Sequence, residues 1–419
     1  MHLSPSLIAC CLATASVATA ACSLAGLDDY VGRAASSGGA GGASSSATGS
    51  AGGSTGGSTS SGSCAGTCSA GCTDLSSDAA NCGACGVVCS PGYGCSKGLC
   101  DNVPVALSEA FSPMCVVLHG GEVWCWGRNN WGQTGIDPLA AGKSITTPLL
   151  NTNCVPAPAR VPGITDAVEV STSSNSTCVR TVGGKILCWG GNPAGTLGHA
   201  PGTNGDQTCT KLGGGGPDEV PNNGTGPCSV TPVEVALPTG FVPAQLASGD
   251  LVACVRSVGG DVLCWGANGE GEVQAPPSQV PVAPFRNTNV GHFDPTPVPG
   301  LPPVASLSMK LGTVAALDES GALWTWGWND QGQIGDGTVA GAACHSGGVC
   351  ALTPKKVLTG VARVSMGMNS AAAITKAGKV LTWGANYFCE QAHAPSQADD
   401  VPCASALCSP KPREVPGLP

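Results

Sequence analysis

Charged residues are scarce in this chain, and positive ones are the scarcest. Only 11% of the 419 residues are charged, with 18 Lys and Arg against 27 Asp and Glu, so the formal net charge is −9. Proteins that bind nucleic acid neutralise phosphates with clustered cations, and the sequence has no basic run. The composition therefore predicts that the chain has no nucleic-acid partner.

Aromatic residues and long apolar runs are also few. Aromatics make up 4% of the chain. Beyond the N-terminal region there is no run of the roughly 20 apolar residues that would span a membrane. Gly (63) and Pro (33) are abundant instead, which favours short strands joined by turns over helices. We therefore expect an all-β protein.

Recognisable catalytic motifs are missing as well. Apart from matches in the Gly/Ser-rich segment and at residues 94–98 of the Cys-rich segment, the sequence has no G-x-S-x-G motif, and it has no G-x-x-x-x-G-K-[ST] loop. The six histidines are scattered and form no metal-binding motif: His2, His119, His199, His292, His345 and His393. Asp294, Asp330 and Asp336 lack a full set of calcium ligands around them. The sequence predicts no enzyme, cofactor or metal; a hydrolase or lyase with an unrecognised site is the less favoured alternative.

Cysteine, by contrast, is abundant, with 25 in the chain. Disulfides in an oxidising compartment explain so many cysteines better than free thiols do. Residues 1–21 read as a signal peptide, and "TAACSLAG" resembles the end of a bacterial lipoprotein signal with Cys22 as the lipidated residue. Cleavage after Ala20 or Ala21 and an uncleaved anchor are alternatives. We expect a cell-surface or outer-membrane lipoprotein, or a secreted protein, that touches the membrane only through this anchor.

Two segments precede the main part of the chain. Residues 22–63 are mostly Gly, Ser, Ala and Thr, and such a segment buries too little apolar area to fold, so it is predicted to be a flexible tether. Residues 64–102 hold eight cysteines, and "NCGACGVVC" resembles the Cys-rich module of plant stigma-specific proteins. Metal binding is an alternative, but the even cysteine count and the exported context favour four disulfides.

The remaining residues, 103–419, contain five copies of one sequence motif. Each copy has a Gly-rich hairpin whose second strand ends in W-G-x-N, at Trp126, Trp189, Trp265, Trp326 and Trp383. A P-x-x-V motif opens copies two to five, at residues 158–161, 232–235, 295–298 and 354–357. Alternating strands, glycine turns and the absence of a helical period predict four-stranded antiparallel blades.

This pattern, "CWG-x-N-x-x-GQ-x-G" followed by "P-x-x-V-x-G-L", resembles the repeat of the regulator of chromosome condensation. The resemblance implies a β-propeller. It also implies that each Trp packs between blades, that the next Gly allows close backbone approach, and that the Asn adopts a left-handed turn. The family usually has seven blades. With five copies, we expect the motif at residues 412–415 to supply the missing strand of the first blade and close the ring; an open or truncated array is the alternative.

Paired cysteines predict disulfide bonds inside the blades and their loops. Three copies have two cysteines ten residues apart across the hairpin: Cys115 with Cys125, Cys178 with Cys188, and Cys254 with Cys264. Copies four and five replace both, with Ala315 and Thr325 and with Ala372 and Thr382. Within single loops the natural pairs are Cys209 with Cys228 and Cys344 with Cys350; the connectivity of Cys403 and Cys408 stays open, with a bridge between the two as one alternative. The sequence assigns no pairing to Cys154 or Cys389.

The loops that follow W-G-x-N leave their blades at the same position and therefore share one face. Their aromatics form a candidate binding patch: Trp131, Trp328, Tyr387 and Phe388. The alternative is that each aromatic packs beneath its own loop. We predict a monomeric, surface-tethered, non-catalytic module that binds a protein or glycan through these loops, with a structural envelope spacer as the alternative.

Overall fold

The computed structural model describes residues 66–68, 71–109, 113–140, 145–146, 153–210, 225–273, 291–344, 348–404 and 407–418. All of them lie in the unit Ser63–Pro419 and form strands, turns and loops, which confirms the all-β prediction. None of these residues belongs to a helix long and apolar enough to cross a membrane. The predicted signal peptide, Cys22 lipidation site and tether lie outside the described residues.

Five antiparallel sheets, called blades 1 to 5, follow one another along the chain. Blade 1 has strands Pro104–Glu109, Pro113–Leu118, Val123–Arg128 and Asn153–Arg160. Blade 2 has Ala167–Thr172, Ser176–Thr181, Ile186–Gly191 and Thr225–Glu234. Blade 3 has Pro243–Ser248, Val252–Ser257, Val262–Ala267 and Gly291–Pro297. Blade 4 has Val304–Lys310, Thr313–Asp318, Leu323–Trp328 and Val349–Leu358, and blade 5 has Val361–Met366, Ser370–Thr375, Val380–Ala385 and Leu407–Glu414.

Within every blade, the first three strands run up and down in chain order and the fourth returns along the third. A short extra strand borders the fourth strand in four blades: Ile145–Thr146, Gln207–Thr210, Ala342–Ala343 and Val401–Pro402. The glycine hairpin sets the register of the second and third strands. In blade 2, Thr181 N–H donates to Lys185 O (2.9 Å) across the turn, and Cys178 faces Cys188.

The last strand of the chain pairs inside blade 5, which corrects the predicted ring closure. Leu407–Glu414 lies antiparallel to the third strand of blade 5, with Glu414 opposite Leu381. Blade 1 has a fourth strand of its own, Asn153–Arg160. The P-x-x-V motif therefore ends a blade instead of opening one. A periodic sequence does not mark where its structural unit begins, so the repeat pattern could not reveal this phase.

Consecutive blades pack face to face. Val170 and Trp189 of blade 2 lie in one buried cluster with Val117 and Val123 of blade 1, and similar clusters join blades 2 to 3, 3 to 4 and 4 to 5. Burying one such side chain contributes roughly 1.5–3 kcal/mol. The core is thus a row of four junctions. Among the described strands, extensive contact joins sequence neighbours, and none of it joins blade 5 to blade 1.

The Cys-rich module is held by disulfides Cys82–Cys95 and Cys89–Cys100, and Cys85 is disulfide-bonded as well. Its short strands are Gly66–Cys68, paired with Gly71–Thr73, and Cys95–Ser96, paired with Leu99–Cys100. The buried part of this module is formed mainly by the disulfide cysteines, as expected of a segment too small to build an apolar core.

The module packs against the hairpin turn of blade 1. His119 N–H donates to Val103 O (2.8 Å), and His119 Nε2 lies 2.9 Å from Ser96 O. Tyr93 Oη donates to Glu122 Oε2 (3.3 Å). Because the strands are antiparallel, these turns and the post-tryptophan loops leave a blade at opposite ends. The module therefore occupies the turn side of blade 1, and the post-tryptophan loops form the other side.

Candidate functional site

The glycine after the repeat tryptophan lies where two backbone segments approach closely in blades 2 to 5. In all five copies φ is between 92° and 106°, at Gly127, Gly190, Gly266, Gly327 and Gly384. A Cβ atom on Gly190 would lie 2.5 Å from Asn175 O, and one on Gly384 would lie 2.5 Å from Asn369 O. Only glycine fits both the φ angle and the space, so this part of the sequence prediction is confirmed.

Four of the repeat tryptophans bind the preceding blade with the indole N–H. Nε1 donates from Trp189 to Gln133 O (3.0 Å), from Trp265 to Thr196 O (3.0 Å), from Trp326 to Glu272 O (2.8 Å) and from Trp383 to Gln333 O (2.9 Å). All four indoles are fully buried, so each N–H needs such a partner. The predicted packing between blades is confirmed for these four residues, and the hydrogen bond is a feature that the sequence did not reveal.

The asparagine of W-G-x-N fixes the loop that follows it. Oδ1 accepts a backbone N–H five residues later: Asn129 from Thr134 (3.1 Å), Asn192 from Leu197 (3.1 Å), Asn268 from Val273 (3.0 Å), Asn329 from Ile334 (3.1 Å) and Asn386 from Gln391 (3.3 Å). None of the five has a positive φ. The predicted left-handed turn is therefore wrong, because the side-chain amide, and not the backbone conformation, closes the turn.

The structure contains the three predicted hairpin disulfides. They are Cys115–Cys125, Cys178–Cys188 and Cys254–Cys264, with Cα atoms 4.1 to 4.2 Å apart. All six cysteines are buried. Blade 4 fills the same place with Ala315 and Thr325, and Thr325 Oγ1 donates to Ile334 O (2.7 Å). These cysteines are structural and cannot act as nucleophiles.

Three further disulfides tie post-tryptophan loops to the fourth strands of their own blades. They are Cys209–Cys228, Cys344–Cys350 and Cys403–Cys408. The loop of blade 5 also carries Cys389, an exposed free thiol with φ 66°. The loops are thus held at two points, by the asparagine at their start and by a disulfide near their end.

The four candidate binding aromatics lie in different environments. Trp131 is 2% exposed and packs against Cys209, Cys228 and Val230 of blade 2, so it is buried under the neighbouring blade and not beneath its own loop. Trp328 is partly buried in blade 4. Phe388 is 88% exposed, and its ring centroid lies 6.3 Å from that of Tyr387. Of the four, the structure brings together Tyr387 and Phe388 on the loop side of blade 5.

An Asn–His–Asp cluster lies in the loop of blade 2, which the sequence reasoning missed. The buried Asp206 accepts from Asn192 Nδ2 (2.8 Å), lies 2.9 Å from His199 Nε2 and accepts from Gly202 N–H (2.9 Å). The carboxylate therefore organises the loop around it. The sequence does contain a signal for this cluster: copies two and five each have a His and an Asp at the same distances after the repeat tryptophan.

The matching cluster in blade 5 has one more member. Asp400 accepts from Ser409 Oγ (2.6 Å) and Asn386 Nδ2 (3.0 Å), and His393 Nε2 lies 3.5 Å away. Burial opposes ionisation of Asp400, but these hydrogen bonds outweigh it and hold its pKa below the ordinary value. Serine and histidine both contact the acid, and no hydrogen bond joins them among the described residues. The cluster is therefore suited to holding the loop rather than to activating a nucleophile.

The candidate calcium ligands are engaged elsewhere in blade 4. Asp336 Oδ2 pairs with Lys355 Nζ (2.5 Å), and Asp330 Oδ1 accepts from Val349 N–H (2.5 Å). Two groups of possible metal ligands occur among the described residues: Cys82 with Cys89 and Cys100, and Glu270 with Cys344 and Cys350. Their cysteines form disulfides, so their sulfur atoms are not available as thiolate ligands.

The five antiparallel blades and the tryptophan contacts between consecutive blades together define a repeat protein of the propeller type. The Regulator of chromosome condensation (RCC1) repeat matches residues 320–374. The mitochondrial RCC1 domain-containing protein RUG3 of Arabidopsis thaliana is 26% identical over 295 residues, which cover 66% of this chain and 55% of that protein. The guanine nucleotide exchange factor SRM1 of Saccharomyces cerevisiae is 22% identical over 298 residues, which cover 67% and 56%. The chain spans about half the length of these curated relatives.

Solved structures show the same fold. Human WBSCR16 superposes with a TM-score of 0.53 at 15% identity, covering 75% of this chain and 68% of that one. Yeast RCC1 (Prp20), solved bound to Kap60, superposes with a TM-score of 0.52 at 18% identity, covering 75% and 63%. Residues 320–374 therefore match an RCC1 repeat, and the chain resembles RCC1-like propellers in fold.

Proposed function

We propose that this chain is an exported, non-catalytic binding module that engages a protein partner through the loop side of its blades. The observation that carries the proposal is the exposed Phe388 on that side, with the partly buried Tyr387 beside it. An aromatic ring that is 88% exposed gains no stability from the fold and is typical of a contact surface.

The described part of the loop side is suited to binding because specific contacts fix its backbone in advance. Each described loop starts at a buried asparagine, and in blades 2, 4 and 5 a disulfide ties the loop to the fourth strand. Preorganised loops lose little conformational entropy on binding. The Cys-rich module occupies the turn side, so it leaves the loop side open.

Similar proteins support a protein partner over a glycan. Prp20 was solved in complex with Kap60, and its binding to Gsp1p and to histones has been described. SRM1 is a guanine nucleotide exchange factor. These partners belong to those proteins. The net charge of −9 does not favour contact with nucleic acid.

Export and lipidation at Cys22 are part of the proposal. The many disulfides favour an oxidising compartment, and the tether of residues 22–63 would hold residues 64–419 away from a membrane. Mass spectrometry of the N-terminal peptide tests lipidation directly. A Cys22→Ser variant that remains in the membrane fraction would contradict it.

A quantitative pull-down from envelope extract tests the binding surface. Tyr387→Ala and Phe388→Ala, singly and together, should reduce capture of a partner by at least about tenfold while the melting temperature holds. Val258→Ala is the matched control, because Val258 is 67% exposed on the turn side of blade 3. If no partner is captured, or if the control reduces capture equally, the spacer function is favoured instead.

A further inference from the structure

The four junctions between blades repeat one set of contacts. The following blade presents three residues to the preceding one: the repeat tryptophan, an aliphatic residue of its first strand and a small or apolar residue of its second strand. At the junction of blades 3 and 4 these are Trp326, Leu307 and Val314, which are 0%, 5% and 0% exposed. The face that a blade turns towards the preceding one is called its leading face, and the opposite face its trailing face.

Blade 1 has the same leading face, but no described residue covers it. Leu107 is 71% exposed, whereas its counterparts Val170, Leu246 and Leu307 are 4% to 6% exposed. Met114 is 41% exposed, and Trp126 is partly exposed although the other four repeat tryptophans are fully buried. Trp126 Nε1 donates to no described residue.

Blade 5 has the matching trailing face, also uncovered by described residues. Ala372 and Thr382 are partly exposed, whereas the pair at the same place is buried in blades 1 to 4. Ile374 is 42% exposed, although its counterparts Val117 and Leu317 are buried against the next blade. In blades 1 to 4, the residue seven positions after the repeat tryptophan accepts the indole hydrogen bond of the next blade with its carbonyl oxygen: Gln133, Thr196, Glu272 and Gln333. The equivalent residue in blade 5 is Glu390, which is exposed.

We propose that the leading face of blade 1 and the trailing face of blade 5 bind each other between two copies of this chain, head to tail. The two faces are the separate halves of a junction that the chain already forms four times. Leu107 and Met114 of one copy would cover Ile374 and the Ala372–Thr382 pair of the other. Trp126 Nε1 would donate to Glu390 O. Each surface contains exposed apolar side chains, Leu107 and Met114 on one and Ile374 on the other, so the hydrophobic effect favours burying them in this contact.

One residue makes this contact weaker than an internal junction. A glycine with positive φ stands six residues after the tryptophan in blades 1 to 4: Gly132, Gly195, Gly271 and Gly332. An added Cβ would crowd the fourth strand of the next blade, for example at 2.7 Å from Pro410 Cα for Gly332. Blade 5 has Cys389 at this position. Its side chain points to where a neighbouring fourth strand would lie, so association should be reversible and dependent on concentration.

Sedimentation velocity of the full chain over a range of concentrations tests the proposal. The wild-type protein should associate as concentration rises. Leu107→Asp removes one half of the contact and Ile374→Asp the other, so each variant alone should be monomeric, with a dissociation constant raised by at least about tenfold. Cys389→Gly should tighten association. Val258→Asp, at a 67% exposed residue outside both faces, is the control and should associate like wild type.

Mixing the two variants gives the decisive result. A head-to-tail contact leaves Leu107→Asp with an intact blade 5 face and Ile374→Asp with an intact blade 1 face. The mixture should therefore form a 1:1 complex that does not grow further. Circular dichroism confirms that each variant is folded. A wild-type protein that stays monomeric at all concentrations, or a mixture that forms no complex, overturns the proposal and shows that the faces are covered within one chain.

Discussion

Blades 1 and 4 carry the same tryptophan hairpin in different surroundings. Trp326 of blade 4 is fully buried against blade 3 and donates to Glu272 O (2.8 Å), whereas Trp126 of blade 1 is partly exposed. Blade 1 has the disulfide Cys115–Cys125 inside the hairpin, where blade 4 has Ala315 and Thr325. Both hairpins have the same register. The repeat sequence therefore determines the shape of a blade, and the adjacent blade determines how much each residue contributes to stability.

The largest expected difference between the two blades is at the tryptophan. Trp326→Ala removes a fully buried indole and a hydrogen bond, and it should lower the free energy of unfolding by about 3–5 kcal/mol. Trp126→Ala should lower it by less than half as much at low protein concentration, because solvent already reaches the side chain. Chemical denaturation of both variants measures the difference. Equal losses would mean that Trp126 is covered in solution.

Exchanging the hairpin pair should have the next largest effect. The double variant Cys115→Ala with Cys125→Thr gives blade 1 the pair that blade 4 uses, and it should fold with a loss of about 2–3 kcal/mol, the value for a loop this short. The single variant Cys115→Ala is the control, because it leaves a free thiol in place of Thr. We expect it to be less stable than the double variant. A double variant that fails to fold would show that the blade depends on its disulfide.

The loop asparagines should show no difference between the two blades. Asn129 Nδ2 donates to Ile136 O (2.8 Å) and Asn329 Nδ2 to Thr338 O (3.2 Å), so each closes a loop within its own blade. Asn129→Ala and Asn329→Ala should each cost about 1–3 kcal/mol, since each leaves buried backbone groups unpaired. Thermal denaturation of the pair checks this. A much smaller loss in blade 1 than in blade 4 would show that the loops depend on neighbouring blades.

The smallest expected effect depends on pH. Burial raises the pKa of Glu272 well above its ordinary value of 4.5, and the Glu270 carboxylate raises it further. A folded-state pKa above the unfolded one adds stability below about pH 4.5 that is lost as pH rises. Glu272→Gln gives this junction the residue that Gln133 supplies between blades 1 and 2. It should raise the melting temperature at pH 7.5, and the gain should vanish towards pH 4. A gain independent of pH would contradict a raised pKa at the buried Glu272.

Much of the fold was predictable from the sequence, and the reason lies in the repeat. Five aligned copies of W-G-x-N show which positions are structural, and the joint presence or absence of Cys178 and Cys188 predicts a bridge without any other information. The position within the repeat at which each blade begins was not predictable. Residues 412–415 read equally well as the missing strand of the first blade or as the last strand of the fifth, and backbone pairing with Leu381 decides between them.

The candidate site was less predictable, because its properties come from neighbouring blades. Trp131 and Phe388 occupy similar places in their repeats, yet one is 2% and the other 88% exposed. The difference arises because blade 2 covers Trp131, and no described blade follows Phe388. Acceptors such as Gln133 O are backbone atoms, which leave no trace in residue identity. A sequence pattern read one repeat at a time cannot contain information about what lies beside that repeat.

The disulfides of this chain are strictly local. Every described pair joins cysteines no more than 19 residues apart, and none connects one blade to another. A chain that crosses a membrane unfolded, N-terminus first, can therefore oxidise each bridge soon after its two cysteines emerge, without waiting for the next blade. Because both cysteines of each described pair lie in the same repeat or module, a gene can gain or lose a whole repeat without leaving an unpaired cysteine from a broken disulfide in the repeats that remain.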